Sequence, residues 1–198
     1  MSIASIVSEW VPRELAPSLS YPLASTPRVA VLGVRICADR RAERQVRCFL
    51  HWRSSELEEW RPQTLAGHRT EILTLGALRS RGYLLLPDLK QPLLIFSGLH
   101  EGPLTSEEHE RLWKLFGLPV FEQIRGANEE LLAQECDARE GWHPVLDEAG
   151  EPILATAQLR AARWNVSTLF EPCACGRTGW RMVADARDRE QHLCAAAR

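Results

Sequence analysis

The sequence lacks a long apolar run, and its charges of opposite sign nearly cancel. The formal net charge is −2, from 24 Lys and Arg against 26 Asp and Glu, so no charge excess calls for a polyanionic partner such as a nucleic acid. None of the apolar stretches reaches the length of a membrane span. Glu9, Pro12 and Glu14 interrupt the N-terminal segment where a signal peptide has its apolar core. We therefore expect no membrane contact and no nucleic-acid binding.

Lysine is nearly absent, since Lys90 and Lys114 are the only two, and arginine carries almost all of the positive charge. A local group of arginines falls within residues 40–47. A nucleic-acid surface needs aromatic platforms or a wider positive area, and the sequence shows neither beside this group. We interpret it as a solvated loop and strand face.

Three of the six cysteines and one histidine fall within a stretch of forty residues. Cys173 and Cys175 are separated by one residue, and Cys136 and His143 by six. Three thiols and an imidazole in two local pairs suit a tetrahedral zinc ion, and Gly176 lets the C-x-C turn aim both sulfurs at one point. The alternative is that these cysteines are ordinary buried apolar side chains. We predict a structural zinc site, because four protein ligands leave no position for substrate. A metal-binding cysteine cluster fits a reducing compartment better than a disulfide framework does, so we also predict a cytoplasmic location.

Hydrophobic patterning predicts an α/β fold with a short mixed or parallel sheet, flanking helices and a zinc-stapled β lobe. Thr105-Ser106-Glu107-Glu108 is a capping box that starts a helix running to Phe116. Buried strands at 93–97 and 118–123 flank it, which makes a βαβ unit with parallel pairing. We also predict helices at 54–60 and 70–81, an antiparallel hairpin from strands at 28–37 and 44–52, and a hairpin over 145–159.

Several motifs between residues 94 and 178 resemble one enzyme family. They are Leu94-Ile95-Phe96-Ser97-Gly98, Glu101-Gly102-Pro103-Leu104, Pro119-Val120-Phe121-Glu122, Glu135-Cys136, Gly141-Trp142-His143 and Cys173-Ala174-Cys175-Gly176-Arg177-Thr178. From about residue 60 to residue 183 the chain resembles the middle of the phenylacetate–coenzyme A ligase branch of the acyl-adenylate-forming enzymes. The resemblance implies a structural zinc held by Cys136, His143, Cys173 and Cys175. It also suggests three segments, with an arm and hairpin cap at 1–60, a ligase-like core with the zinc lobe at 61–183, and a helical tail at 184–198.

The departures from the family pattern bear on activity. The family's glycine-rich phosphate loop has no counterpart, and the loop after Gln123 reads Ile124-Arg125-Gly126-Ala127-Asn128, without the family's aromatic, hydroxyl and acid. Residues 165–168 lack the ribose-binding Asp, and the sequence ends before a lid that would carry the catalytic lysine. Metal-bound ATP needs such groups in place. We therefore assign no catalytic residue or nucleotide-binding residue and expect the isolated chain to bind ATP poorly.

These observations favour a non-catalytic, ligase-derived protein that binds or regulates a protein partner, or forms a homodimer. A second interpretation is a component of a split acyl-CoA ligase whose phosphate loop and lid lie on another chain. A third is an enzyme that uses His100 and Glu101 as an acid–base pair, since loops at the carboxyl ends of parallel strands often hold α/β active sites.

Overall fold

The computed structural model describes residues 19–23, 25–36 and 44–184, and their strands form a single nine-stranded sheet. Five strands make a parallel half in the order β2-β1-β3-β4-β5, and four make an antiparallel half that continues as β6-β7-β9-β8. The strands are β1 Val29–Leu32, β2 Val46–Phe49, β3 Thr64–His68, β4 Leu93–Gly98, β5 Val120–Arg125, β6 Leu131–Glu135, β7 Trp142–Pro144, β8 Val166–Phe170 and β9 Trp180–Ala184. The predicted α/β class with a mixed sheet is confirmed.

Four helices accompany this sheet in the described part of the chain. They are α1 Ser54–Trp60, α2 Arg69–Ser80, α3 Ser106–Phe116 and α4 Ile153–Ala161. The predicted capping box is present, because Thr105 Oγ1 accepts from the Glu108 N–H while the Glu108 carboxylate accepts from the Thr105 N–H. Gly117 ends α3 in the left-handed conformation, with φ of 67°. The predicted unit of β4, α3 and parallel β5 is confirmed.

Apolar side chains are buried on both faces of the parallel half, which explains why its strands read as continuous apolar runs. One face packs against α1, α2 and α3 through Leu57, Ile72 and Leu112. The opposite face buries Leu94 and Phe96 among further apolar side chains. The antiparallel half has a small core of its own, made of Ile124, Leu132, Ala133, Trp142, Ala155, Leu159, Trp164 and Met182.

The predicted antiparallel hairpin near the N-terminus is wrong. β1 and β2 pair in parallel, from Val29 opposite Val46 to Leu32 opposite Phe49. All four residues of β1 are buried between β2 and β3. The connecting residues 33–45 are long enough for the crossover that parallel pairing requires. The sequence pattern of two short apolar strands with a polar link between them is therefore compatible with either direction of pairing.

The predicted hairpin over residues 145–159 is also wrong. A turn does occur at Asp147, whose N–H bonds to the Glu151 carbonyl at 3.0 Å. The chain then enters α4, which buries Ala155 and Leu159 against the small core. These two residues are four apart and share one helix face, and that burial favours a helix over a second strand.

The three-segment division remains a prediction, although strands from its first and second segments belong to one sheet. The N-terminal arm up to residue 18 and the tail beyond residue 184 lie outside the described residues. Within the described part, none of the helices is long and apolar enough to cross a membrane.

Candidate metal centre

The structure brings Cys136, His143, Cys173 and Cys175 together, and their donor atoms all lie within 4.8 Å of one another. Cys136 Sγ lies 3.6 Å from Cys173 Sγ, and Cys175 Sγ lies 3.4 Å from His143 Nε2. Cys136 and Cys173 are buried, and the other two are half-buried. Four donors converging at this spacing could hold one metal ion such as zinc.

The C-x-C turn between β8 and β9 points both sulfurs toward this cluster. The Cys173 N–H donates to the Arg177 carbonyl, and the Gly176 N–H donates to the Cys173 carbonyl, each at 2.9 Å. Gly176 has a φ of 85°, in the region that favours glycine. This geometry agrees with the expectation that Gly176 lets the C-x-C turn aim both sulfurs at one point.

The other two donors come from the antiparallel pairing of β6 and β7. Cys136 directly follows β6, and His143 lies in β7 opposite Gln134. β7 in turn pairs with β9 through Trp142 and Met182. Donors on or next to neighbouring strands of one sheet thus meet, although twenty-nine residues separate His143 from Cys173 in the sequence.

The surroundings of the cluster shift the protonation of its donors. Burial above all raises the pKa of the Cys136 thiol to about 12, and the neighbouring thiols add to this effect. Burial, followed by the charges of Arg177 and Arg181, lowers the pKa of His143, which favours the neutral imidazole that a metal ion requires. A cation bound here would stabilise the thiolates and release their protons.

A buried glutamate that sequence analysis missed bonds to Glu135 and Trp142, the residues that precede two of the donors in the sequence. Glu122 in β5 is 1% exposed and accepts hydrogen bonds from Ser97 Oγ, the Leu104 N–H and Trp142 Nε1. Burial raises the pKa of Glu122. The Glu122 N–H donates to Glu135, and burial raises the pKa of the Glu135 carboxyl to about 7. An acid inside an apolar run was the available signal, but its partners come from three other parts of the chain.

Polar side chains also meet at the carboxyl ends of β3, β4 and β5. His68 Nε2 lies 3.2 Å from Glu129 Oε1. The Arg125 guanidinium lies 4.3 Å from the centre of the Phe96 ring and donates to Gln123 Oε1. Glu129 is distant from His68 in the chain, so local spacing in the sequence does not indicate this pair.

The predicted pair of His100 and Glu101 occupies the turn after β4. The Glu101 carboxylate accepts a hydrogen bond from the Gly98 N–H at 3.0 Å, which ties the turn to the end of its own strand. The His100 ring lies against Gly98, where a Cβ would come within 3.0 Å of His100 Cε1. These contacts assign the two side chains a role in shaping the turn.

Comparison with solved structures shows a fold likeness to part of a ligase. Over 82% of this chain and 46% of that chain, the structure superposes on the open conformation of 2-hydroxyisobutyryl-CoA ligase in complex with 2-HIB-AMP and CoA, with a TM-score of 0.52 and 12% identity. The same ligase in the postadenylation state gives a TM-score of 0.49 and 14% identity over 83% and 45% of the two chains.

No family model matches the sequence, and the curated proteins contain no match. The chain spans less than half the length of the ligase that it resembles. At 12% identity the likeness concerns the fold alone, so the phenylacetate branch remains a prediction from the sequence motifs. The chain therefore has the α/β fold of part of an acyl-CoA ligase and carries a four-residue cluster suited to a metal ion.

Proposed function

We propose that this chain is a zinc-stabilised, non-catalytic relative of phenylacetate–CoA ligase-like acyl-adenylating enzymes, and that it binds or regulates another protein. The observation that carries the proposal is the convergence of Cys136, His143, Cys173 and Cys175. Three sulfurs and one imidazole nitrogen match zinc in softness and in tetrahedral number. All four positions are filled by protein, so the ion holds the lobe together and offers no open position to a substrate.

The carboxyl ends of the parallel strands support a non-catalytic role. At this edge, where α/β folds commonly bind ligands, His68 is paired with Glu129 and Arg125 is engaged by Phe96 and Gln123. Side chains engaged in these pairs are less available to bind a nucleotide phosphate or a magnesium ion. The absence of the family's phosphate-loop and ribose motifs in the sequence supports the same conclusion.

Exposed apolar side chains support the binding role. Val145 and Leu146 precede one turn, and Ile153 and Leu154 follow it at the start of α4. Ile153 is 63% exposed and Leu154 is 56% exposed. Apolar side chains grouped on a surface are a frequent mark of a protein-binding site.

A component of a split acyl-CoA ligase is the second candidate. It is suggested by the fold likeness, because the chain superposes on 46% of a ligase chain. In that case ATP-dependent activation of a carboxylic acid would require both chains.

The metal assignment is tested by elemental analysis of protein purified without added metal. We expect about one zinc per chain, and loss of that zinc in Cys175→Ser. Structural zinc contributes about 10–16 kcal/mol of apparent binding energy in small domains, so Cys175→Ser is also expected to unfold the antiparallel half. Cys48→Ser is the matched control, because Cys48 is a free thiol outside the cluster. Wild-type protein without zinc would refute the assignment.

The lack of catalysis is tested by calorimetry with ATP and by ATP–pyrophosphate exchange with a panel of aryl and fatty acids. For the isolated chain we expect a Kd for ATP above about 1 mM, equivalent to about −4 kcal/mol, and no exchange. Exchange that appears only with a co-purified protein would support the split enzyme instead. Micromolar ATP binding by the isolated chain would contradict both interpretations.

A further inference from the structure

Arg181 occupies a central position in the antiparallel half. It lies in β9 opposite Leu169 of β8, and its side chain is only 10% exposed. Its Nη1 donates to Glu140 Oε2 at 2.5 Å, and its Nη2 donates to Glu171 Oε1. One guanidinium thus binds two carboxylates, an arrangement that its fork of donors suits and a lysine ammonium does not reproduce.

The two carboxylates belong to the two segments that carry the metal donors. Glu140 lies between Cys136 and His143, in the loop from β6 to β7. Glu171 follows β8 and precedes Cys173 by two residues. Arg181, which lies in β9, therefore connects the segment of Cys136 and His143 to the segment of Cys173 and Cys175.

Arg181 also offsets negative charge near the sulfur donors. Glu140 Oε2 lies 3.9 Å from Cys173 Sγ, a distance at which a carboxylate and a thiolate repel each other. Pairing with Arg181 offsets the charge of this carboxylate beside sulfurs that must be deprotonated to hold a metal ion. Without the guanidinium, Glu140 and Glu171 would lose the ion pairs that Arg181 makes with them beside the donor set.

We infer that Arg181 is a positioning residue of the metal centre, which holds the two donor segments in register and offsets the charge of Glu140 and Glu171. The inference rests on the proposed zinc site and goes beyond it by naming the residue outside the donor set on which zinc affinity depends. Arg181 holds the donor segments through its ion pairs with the two carboxylates.

The test is the zinc affinity of Arg181→Met, measured by competition with a chromophoric chelator at fixed pH. We expect affinity to fall by about 10–100-fold, the usual range for partners of metal ligands. Arg181→Lys should recover only part of the loss, because an ammonium keeps the charge but does not span both carboxylates. Arg160→Met is the matched control, since Arg160 is exposed on α4, and it should bind zinc like the wild type.

A double-mutant cycle with Glu171→Gln separates the ion pair from a general packing effect. If Glu171 acts with Arg181, the double variant loses less affinity than the sum of the two single losses. The absorption spectrum of bound cobalt(II) should change in Arg181→Met and stay unchanged in Arg160→Met. If Arg181→Met fails to fold, Arg181→Lys and Glu171→Gln still measure the pair.

Two results would overturn the inference while leaving the zinc site intact. One is wild-type affinity and an unchanged cobalt spectrum in Arg181→Met or, if that variant does not fold, in Arg181→Lys. The other is strict additivity of the losses in the cycle. Absence of zinc from the wild type would refute both the site and the role of Arg181, so the two failures are distinguishable.

Discussion

At the scale of single residues, His68 and Glu129 form a pair at the carboxyl ends of the parallel strands. His68 ends β3, and Glu129 lies in the loop after β5, with a φ of 63° that non-glycine residues adopt at some cost. A hydrogen bond to Glu129 raises the pKa of His68, and the same bond lowers the pKa of Glu129. The pair therefore makes stability depend on pH.

Replacing Glu129 by Gln tests this dependence. The raised pKa of His68 contributes stability that is present below its ordinary value of 6.5 and is lost as pH rises through the folded-state value. The lowered pKa of Glu129 contributes stability that is present above its ordinary value of 4.5 and is lost as pH falls through the folded-state value. We expect Glu129→Gln to lower the free energy of unfolding more at about pH 5.5 than at about pH 9.

Urea denaturation of the wild type and the variant at both pH values measures the difference. The effect is expected to be small, because the two side chains are 27% and 34% exposed and solvent screens the pair. Glu148→Gln, in the exposed turn before α4, is the control for loss of one carboxylate. An equal loss of stability at both pH values would show that the pair does not titrate as described.

At the scale of the elements, the approach of β7 to β9 depends on one glycine. Gly141 precedes β7 with a φ of 117°, and a Cβ built on it would lie 2.2 Å from the Met182 carbonyl oxygen. Real side chains do not approach a backbone atom so closely. Because β7 carries His143 and β9 carries Arg181, the spacing of these strands also sets the spacing of the metal centre.

Gly141→Ala is therefore expected to destabilise the protein and to weaken metal binding. A forced contact of this kind costs about 1–3 kcal/mol, in addition to the strain of a positive φ. Gly150→Ala is the matched control, because Gly150 has a φ of 81° and no atom within 4 Å of its added Cβ. Urea unfolding and cobalt(II) titration of both variants give the comparison, and equal losses would assign the effect to backbone strain alone.

At the scale of the whole molecule, the chain has the fold of part of a ligase and exposes apolar side chains around the turn before α4. Our proposal assigns this surface to a protein partner or a second copy of the chain. We expect the purified protein to associate, with a mass in light scattering that rises with concentration or a partner that co-purifies.

Ile153→Asp is expected to weaken this association about tenfold or more, because burial of one such side chain is worth about 1.5–3 kcal/mol. An acid in the first turn of α4 suits the helix dipole, so the fold should be retained. Leu85→Asp is the control, since Leu85 is 67% exposed in the segment between α2 and β4. A strict monomer without any partner, or equal effects of both substitutions, would contradict the proposed surface.

The sequence by itself determined the features that depend on neighbours a few residues apart. The capping box of Thr105 and Glu108, the unit of β4, α3 and β5, and the C-x-C turn at Cys173 were all readable from local spacing. The pairing of two donor segments into one cluster was also predictable, because three thiols and an imidazole in two local pairs suit the same tetrahedral ion.

Only the tertiary structure decided what depends on residues far apart in the chain. Whether β1 and β2 run parallel is set by burial of β1 between two neighbours, and a short apolar strand has the same pattern in either direction. The hydrogen bonds of Glu122 join four segments, and those of Arg181 join three. Such contacts follow from the order of the strands in the sheet, and the apolar pattern of a single strand does not identify its neighbours.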